Sequence, residues 1–195
     1  MNTVITKSYS EPPFSEKEIL RYAGASEADE ALLSLMRECI NDSKCALMYK
    51  VCFYKAPLSI IGETCDFTHF KVNSKNLSKN LHGCGSAIIF AATVGIGIDR
   101  LIHKYSKISP AKALLFQAIG AERIEALCDI FSEDVKAFGK ACRPRFSAGY
   151  GDLPLETQKE IFKILSPQKN IGLTLGDTLL MSPTKSVTAF IGIEK

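Results

Sequence analysis

The chain has 195 residues, 46% of them hydrophobic and 9% aromatic, and its 24 basic and 21 acidic side chains give a formal net charge of +3. This size and hydrophobic content indicate a folded chain with a sizeable core and exclude a disordered one. Because the charges nearly balance and tryptophan is absent, neither electrostatics nor base stacking favours a nucleic-acid partner.

The N-terminus and the apolar runs give no signal for export or membrane insertion. The N-terminus lacks the basic start and apolar stretch of a signal peptide, and the longest apolar run, Ala87–Ile98, is too short to cross a bilayer. We therefore expect a soluble, cytoplasmic protein with no membrane partner.

Seven cysteines and three histidines are scattered along the chain. No two cysteines have the C-x-x-C spacing, and the histidines do not cluster with them. This pattern favours buried free thiols in a reducing compartment and predicts no metal site. The cysteines are Cys39, Cys45, Cys52, Cys65, Cys84, Cys128 and Cys142.

Two capped helices are predicted before the first strands. Ser15–Glu18 has the capping-box pattern and predicts a short helix that ends at Gly24. Ser26 with Asp29 predicts the start of a second helix, which apolar residues follow at helical spacing.

Strands are predicted next, in two segments rich in aromatic and β-branched residues, Cys45–Lys55 and Ser59–Val72, and in the run Ser86–Thr93. The last run is apolar almost throughout, which is typical of a buried strand. Before it, Ser74–Leu81 is predicted to be a short helix stopped by Gly83.

Gly95 and Gly97 raise the question of a nucleotide-binding loop. A dinucleotide fingerprint needs a third glycine three residues after the second, and that position holds Arg100. The P-loop pattern fails as well, since no Gly-Lys-Ser/Thr follows. A tight turn between a core strand and a helix is the better interpretation, and a nucleotide-phosphate loop is the lesser alternative.

A long helix dominates the second half of the chain. Ser109-Pro110 is a strong helix start, and the helix is predicted to extend to about Phe138, with Gly120 as a candidate break. The later predicted elements are a loop at Arg143–Gly151, a helix at Leu155–Leu165, and strands at Asn170–Leu175 and Ser186–Ile193. This irregular alternation predicts an α+β fold, a mainly antiparallel, twisted sheet with flanking helices, and one domain over residues 1–195.

The predicted loop carries residues that can hold a small ligand. Arg145 can hold a carboxylate by a two-point contact. Gly149 and Gly151 permit unusual backbone angles and a close approach of a ligand to the main chain, and Tyr150 offers a flat ring and a hydroxyl. From composition alone, an ordinary surface loop is the simpler alternative.

Glu125, on the long helix, is a second candidate. Together with Glu122 it fits a solvated helix face, which is the commoner arrangement for such residues. A partly buried carboxylate at this position would instead suit a hydroxyl or ammonium group of a ligand.

Taken in order, several segments resemble the activation domain of cobalamin-dependent methionine synthase. Arg145-x-x-x-Gly149-Tyr150 matches the Arg-x-x-x-Gly-Tyr motif that this family uses for S-adenosylmethionine. The resemblance covers residues 81–193, and residues 1–80 match loosely. The other segments that carry it are Leu81–Cys84, Ile88–Gly95, Asp99–Ile102, Gly120–Asp129 and Asp177–Val187.

The resemblance implies a reactivation protein. In that family the domain binds S-adenosylmethionine and presents its methyl group to a corrinoid that has reached the inactive cob(II)alamin state, with one electron from a flavodoxin-like donor. By position in the motif, Arg145 would bind the ligand's carboxylate, and Gly149 and Tyr150 would shape the loop. The backbone from Gly151 onward would meet the adenine or ribose, and Glu125 would be a pocket carboxylate.

Two departures from the family change this expectation. Its long form begins with an aromatic-rich segment whose acidic residue meets the ligand's ammonium group, a pattern that Met1–Gly24 does not show. The long form also continues beyond the position of Lys195 to a further ligand-contacting tyrosine. The comparison therefore predicts a pocket that is open on two sides.

The sequence also shows no corrinoid, folate or homocysteine module, so we do not expect a complete enzyme. We expect the chain to act in trans on a shortened cobalamin-dependent methionine synthase or another corrinoid protein, which would supply the cobalamin. The alternative is a non-catalytic docking or stabilising partner of a corrinoid protein that does not bind S-adenosylmethionine. Binding of S-adenosylmethionine discriminates the two.

Overall fold

Five antiparallel strands form the central sheet of the computed structural model, which describes residues 3–25, 27–137 and 141–194. In chain order the helices and strands are β1 (Ile5–Tyr9), α1 (Glu16–Tyr22), α2 (Glu30–Ser43), β2 (Tyr49–Pro57), β3 (Ser59–Ile61), β4 (Thr64–Asp66), β5 (Lys71–Asn73), α3 (Lys75–Asn80), β6 (Cys84–Thr93), α4 (Gly97–Ser106), α5 (Pro110–Lys136), β7 (Phe146–Ser147), α6 (Thr157–Leu165), α7 (Pro167–Ile171), β8 (Thr174–Leu175), β9 (Met181–Ser182) and β10 (Ser186–Glu194). A short 3-10 helix at Lys44–Ala46 precedes β2.

The central sheet has the strand order β1-β2-β6-β10-β7, and each neighbouring pair is antiparallel. The predicted α+β class with a mainly antiparallel sheet is therefore confirmed. β6 lies in the middle and sends alternate residues, such as Phe90 and Ile89, into two separate apolar clusters. Because both of its faces are covered, its sequence is apolar almost throughout, as predicted.

Helices cover the two faces of the sheet in different ways. One face packs against α1, α2, α4 and the long helix α5, which contributes residues such as Leu127 and Phe131. The opposite face packs against α3, α6, α7 and the small sheet β3-β4-β5, with Phe67 stacked on Phe190 of β10. The long helix is therefore the main element on the face that also carries the N-terminal helices.

Side chains at both helix starts near the N-terminus make the expected caps. Ser15 accepts a hydrogen bond from the Glu18 amide, and Asp29 accepts one from the Leu32 amide at 2.8 Å. The helix begins at Glu30, after Asp29, and Ser26, the other predicted start residue, lies outside the described residues. The Ser15 amide donates to Glu122 of α5 at 3.2 Å, so a distant carboxylate replaces the usual second half of the capping box.

The predicted strand boundaries were wrong in three places. The segment Cys45–Lys55 begins in the 3-10 helix, and Ser59–Val72 is divided into the three short strands β3, β4 and β5. Most of Asn170–Leu175 is not strand, because Pro167 opens the helix α7 and only Thr174 and Leu175 are extended. The strand β1 was not predicted at all.

The prediction of a break at Gly120 was also wrong, since α5 is continuous from Pro110 to Lys136. A Cβ at Gly120 would lie 2.8 Å from Cγ of Lys185, so this glycine allows the Lys185 side chain to cross the helix. The predicted helix end at Phe138 lies outside the described residues.

The tight turn after β6 is confirmed. Gly95 has a φ of +84°, and a Cβ at Gly97 would lie 2.0 Å from the carbonyl oxygen of Ala46. The space that a phosphate would need beside Gly97 is filled by the chain's own backbone, which rules out the nucleotide-phosphate alternative at this turn.

Candidate functional site

Arg145 lies at the edge of the sheet, immediately before the terminal strand β7, and reaches the long helix α5. Its Nη1 donates to Asp129 Oδ1 and its Nη2 donates to Glu125 Oε2, each at 2.5 Å. Glu125 and Asp129 are four residues apart and therefore share one face of α5. The structure thus brings together two of the residues singled out from the sequence, Arg145 and Glu125, and adds Asp129 to them.

Burial and hydrogen bonding act in opposite directions on Arg145. Partial burial of the guanidinium lowers its pKa, but the hydrogen bonds with Asp129 and Glu125 outweigh this and hold the pKa above the ordinary arginine value. Arg145 is therefore a permanent cation. Because two carboxylates face this one cation, the cluster carries one negative charge in excess.

Two clefts flank this cluster and share Asp129. The first, which we call the Arg145 cleft, has a volume of about 640 Å³. It lies between the C-terminal half of α5 and the chain leading to β7, and it is lined by Asp129, Ser132, Glu133, Lys136, Cys142, Arg143, Pro144, Arg145 and Ile191. Its size falls in the range of small-molecule pockets.

The second cleft, which we call the Glu18 cleft, has a volume of about 380 Å³ and lies between α1 and α5. Its residues on α5 follow helical spacing, so one helix face serves both clefts. It contains four carboxylates and no basic side chain, and its lining is Pro13, Ser15, Glu18, Tyr22, Glu122, Glu125, Ala126 and Asp129. An electrostatic environment of this kind favours a cationic group.

The wall of the Glu18 cleft is held by a buried ion pair. Arg123 is 0% exposed and pairs with Glu122, and its Nη1 and Nη2 also donate to the carbonyls of Pro12 and Pro13 at 2.6 and 2.7 Å. The guanidinium lies 3.8 Å from the centre of the Phe14 ring. The solvated-face interpretation of Glu122 was therefore wrong, whereas Glu125 is half-buried.

The turn that follows β7 contains the other residues predicted for the site. Gly149 and Gly151 have φ values of +85° and +59°, as expected for backbone that favours glycine. Their close neighbours belong to the chain itself, since a Cβ would lie 3.0 Å from Leu155 Cδ1 at Gly149 and 2.8 Å from Asn76 Nδ2 at Gly151.

Asp152 fixes this turn to α3. Its carboxylate accepts hydrogen bonds from the Ser74 hydroxyl at 2.5 Å, from the Lys75 amide at 2.8 Å and from the Asn76 amide at 3.1 Å. The hydrogen bond from Ser74 is the largest of several effects that lower the Asp152 pKa below its ordinary value. The turn is thus held by the N-terminus of a helix, where a negative charge is favourable.

Arg145 and Tyr150 lie on different sides of β7. Arg145 contacts α5 on one face of the sheet, whereas Phe146 enters the apolar cluster on the other face. The Tyr150 ring lies edge-on to Phe146, with 5.4 Å between centroids, and is 68% exposed. A ligand that contacts both Arg145 and the Tyr150 ring must therefore pass over the edge strand β7.

Within residues 3–25, 27–137 and 141–194, no three His, Cys, Asp or Glu side chains are placed to hold a metal ion. None of the helices in these ranges is both long and apolar enough to span a membrane.

Comparison with known proteins identifies the fold but not a sequence family. No family model matches the chain, and no curated protein matches it by sequence. A crystal structure of the MetH reactivation domain bound to AdoHcy superimposes on it with a TM-score of 0.72 and 14% identity, covering 98% of this chain and 78% of the other. This chain has the fold of the MetH reactivation domain.

Sequence reasoning missed two residues of the site. Asp129 lies on the helical face of Glu125, and the four-residue spacing was the available signal for it. Glu18 comes from the N-terminal region, where no aromatic-rich acidic pattern was found, and it reaches the cleft because α1 packs on α5. The capping box identified Glu18 only as a helix-start residue.

Proposed function

We propose that the chain binds S-adenosylmethionine and acts as a reactivation subunit for a corrinoid protein. The observation that carries the proposal is the position of Arg145, held against the long helix between two clefts, in a fold whose MetH representative was crystallised with AdoHcy.

The described residues fit an adenosyl amino acid. Arg145 would bind its carboxylate through two hydrogen bonds. Glu125, half-buried in the carboxylate-rich Glu18 cleft, would receive its ammonium group. The exposed ring of Tyr150 and the backbone from Gly149 to Gly151 would meet the nucleoside, and the two left-handed glycines give that backbone its shape.

The role of this chain in the reaction would be to position and shield the methyl group. S-adenosylmethionine would supply the methyl group and leave as S-adenosylhomocysteine, and a corrinoid bound to the partner, after reduction by one electron, would accept the methyl group. The fixed Arg145 and the turn anchored by Asp152 orient the ligand, which lowers the entropic part of the barrier. We propose a shortened cobalamin-dependent methionine synthase or another corrinoid protein as the partner, and a flavodoxin-like protein as the electron donor.

The proposal is tested by titrating S-adenosylmethionine into the wild type and Arg145→Ala in a calorimeter. We expect the variant to lose about 1.5–3 kcal/mol of binding free energy, the range for hydrogen bonds to charged groups. Lys136→Ala is the matched control, because it removes a cation from the same cleft without touching Glu125 or Asp129. Equal affinity of Arg145→Ala and wild type would refute the role of Arg145.

One observation favours the second candidate, a docking or stabilising partner that does not bind S-adenosylmethionine. The guanidinium of Arg145 already has both of its terminal nitrogens engaged by carboxylates of the chain. Thermal unfolding with millimolar S-adenosylmethionine separates the two, since a ligand of the folded state alone raises the melting temperature by mass action. An unchanged melting temperature would support the docking partner.

A further inference from the structure

Asp129 occupies the position at which a ligand carboxylate would meet Arg145. Its Oδ1 accepts from Arg145 Nη1 at 2.5 Å, while Glu125 accepts from Nη2 at the same distance. A ligand carboxylate that binds the guanidinium end-on makes in-plane hydrogen bonds with both Nη atoms, which are the two atoms that already donate to Asp129 and Glu125. A ligand that binds in this end-on way must therefore displace at least one of the two chain carboxylates.

The exposed fractions of the two carboxylate side chains indicate which one a ligand displaces from Arg145. The Asp129 side chain is 68% exposed, and that of Glu125 is 42% exposed. Once displaced, Asp129 regains its hydration in open solvent, whereas Glu125 would be left in the carboxylate-lined Glu18 cleft without a cation. Displacing Asp129 is therefore the less costly exchange.

We propose that Asp129 is an internal competitor for Arg145, which a ligand's α-carboxylate displaces on binding. This inference depends on the proposed function, because it concerns the ligand of the same site. A ligand without a carboxylate leaves the Arg145–Asp129 pair intact and has no contact with the guanidinium. Its binding is therefore independent of Asp129.

The test compares Asp129→Asn with the wild type by calorimetry, using S-adenosylhomocysteine as the probe. This probe has the amino-acid carboxylate but no sulfonium charge, so the loss of a negative side chain does not by itself weaken its attraction to the cleft. The pair is partly exposed, so its removal should raise affinity about two- to fivefold. Methylthioadenosine, which lacks the amino-acid group, should bind Asp129→Asn and the wild type equally.

Glu133→Gln is the matched control. Glu133 is one turn further along the same face of α5 and lines the same cleft, but it pairs with Lys136 and not with Arg145. The substitution makes the same change in charge, and it should leave the affinity for S-adenosylhomocysteine unchanged. An equal gain in Glu133→Gln would show a general charge effect and overturn the competition.

The remaining outcomes are also decisive. Equal affinity of Asp129→Asn and wild type for S-adenosylhomocysteine refutes the competition and leaves the proposed function standing. Weaker binding by Asp129→Asn also overturns it, because Asp129 would then receive the ligand's ammonium group. Binding of S-adenosylhomocysteine to Asp129→Asn but not to the wild type would mean that Asp129 excludes the ligand completely, and it supports the competition. If neither protein binds S-adenosylhomocysteine or S-adenosylmethionine at millimolar concentration, both the proposed function and the competition fail.

Discussion

Arg145 and Arg123 lie on the same side of the sheet but differ in burial and in role. Arg145 is partly exposed beside two clefts, so its carboxylate partners can be exchanged for those of a ligand. Arg123 is fully buried, and its hydrogen bonds to Glu122 and two proline carbonyls leave no room for exchange. Arg123 therefore fixes the segment before α1, and with it the wall of the Glu18 cleft.

Removing Arg123 should lower the free energy of unfolding by far more than the Arg123–Glu122 pair adds to it. Arg123→Met leaves Glu122 buried without a cation, and breaking a buried pair in this way lowers the free energy of unfolding by about 3–5 kcal/mol. Urea unfolding of the variant measures the loss. The double variant Glu122→Gln, Arg123→Met also removes the unpaired buried carboxylate, so it should recover part of the lost free energy of unfolding. A single variant as stable as the wild type would contradict this role.

How far the sequence predicts the site differs from residue to residue. Arg145, Gly149 and Gly151 were predicted because the motif combines a carboxylate-binding cation with glycines, and the structure gives both glycines positive φ. Asp129 and Glu18 were not predicted, because the sequence pattern of an amphipathic helix does not distinguish a carboxylate that faces solvent from one that lines a cleft. Only the packing of α1 on α5 and of β7 on β10 distinguishes these situations.

A polar edge strand, β1, and a short helix, α7, were the hardest elements to predict. β1 is mostly exposed, so it lacks the apolar alternation of a strand; it is held by pairing with β2 and by hydrogen bonds from Lys7 and Tyr9 to Asp134 of α5. The helix α7 was not predicted: Ser166 has a left-handed φ of 44° that ends α6 and allows α7 to start at once at Pro167. Neither feature has a periodic signature.

The turn from β6 into α4 depends on close contact between two backbones. At Gly97 any side chain would meet the carbonyl of Ala46, and a backbone atom cannot move aside as a flexible side chain can. We expect Gly97→Ala to lower the free energy of unfolding by about 2 kcal/mol or more.

Gly176→Ala is the control for this prediction, since its Cβ would meet only the carbonyl oxygen of Leu180 at an ordinary 3.5 Å. It should change the free energy of unfolding by no more than about 0.5 kcal/mol. Denaturant unfolding curves of the two variants provide the comparison. Equal stabilities would show that the backbone beside Gly97 can relax.

The central sheet buries thiols on both of its faces. Cys39 and Cys128 belong to the cluster under the long helix, and Cys52 and Cys65 belong to the cluster on the opposite face. All seven cysteines are free thiols, and these four are fully buried. Burial raises the pKa of Cys52 and Cys128 to about 12, and that of Cys39 and Cys65 to about 11.

These thiols make stability depend on pH on the alkaline side. An ordinary thiol, as in the unfolded chain, has a pKa of 9.0, so the unfolded chain loses protons first as the pH rises. Stability from the buried thiols is complete below this value and is lost progressively toward pH 11–12. Each buried thiol should contribute a loss of about 1.4 kcal/mol per pH unit above 9.

Urea unfolding at about pH 8 and about pH 10 tests this for Cys52, the thiol in the central strand β2. Cys52→Ala removes its contribution, so the loss of unfolding free energy between the two pH values should be about 1.4 kcal/mol smaller than in the wild type. Cys45→Ala is the matched control, because it removes an exposed thiol and leaves the buried ones in place. Identical pH slopes for wild type and Cys52→Ala would mean that the thiol ionises as readily in the folded sheet as in the unfolded chain. Such a result would contradict the complete burial of Cys52 in its apolar cluster.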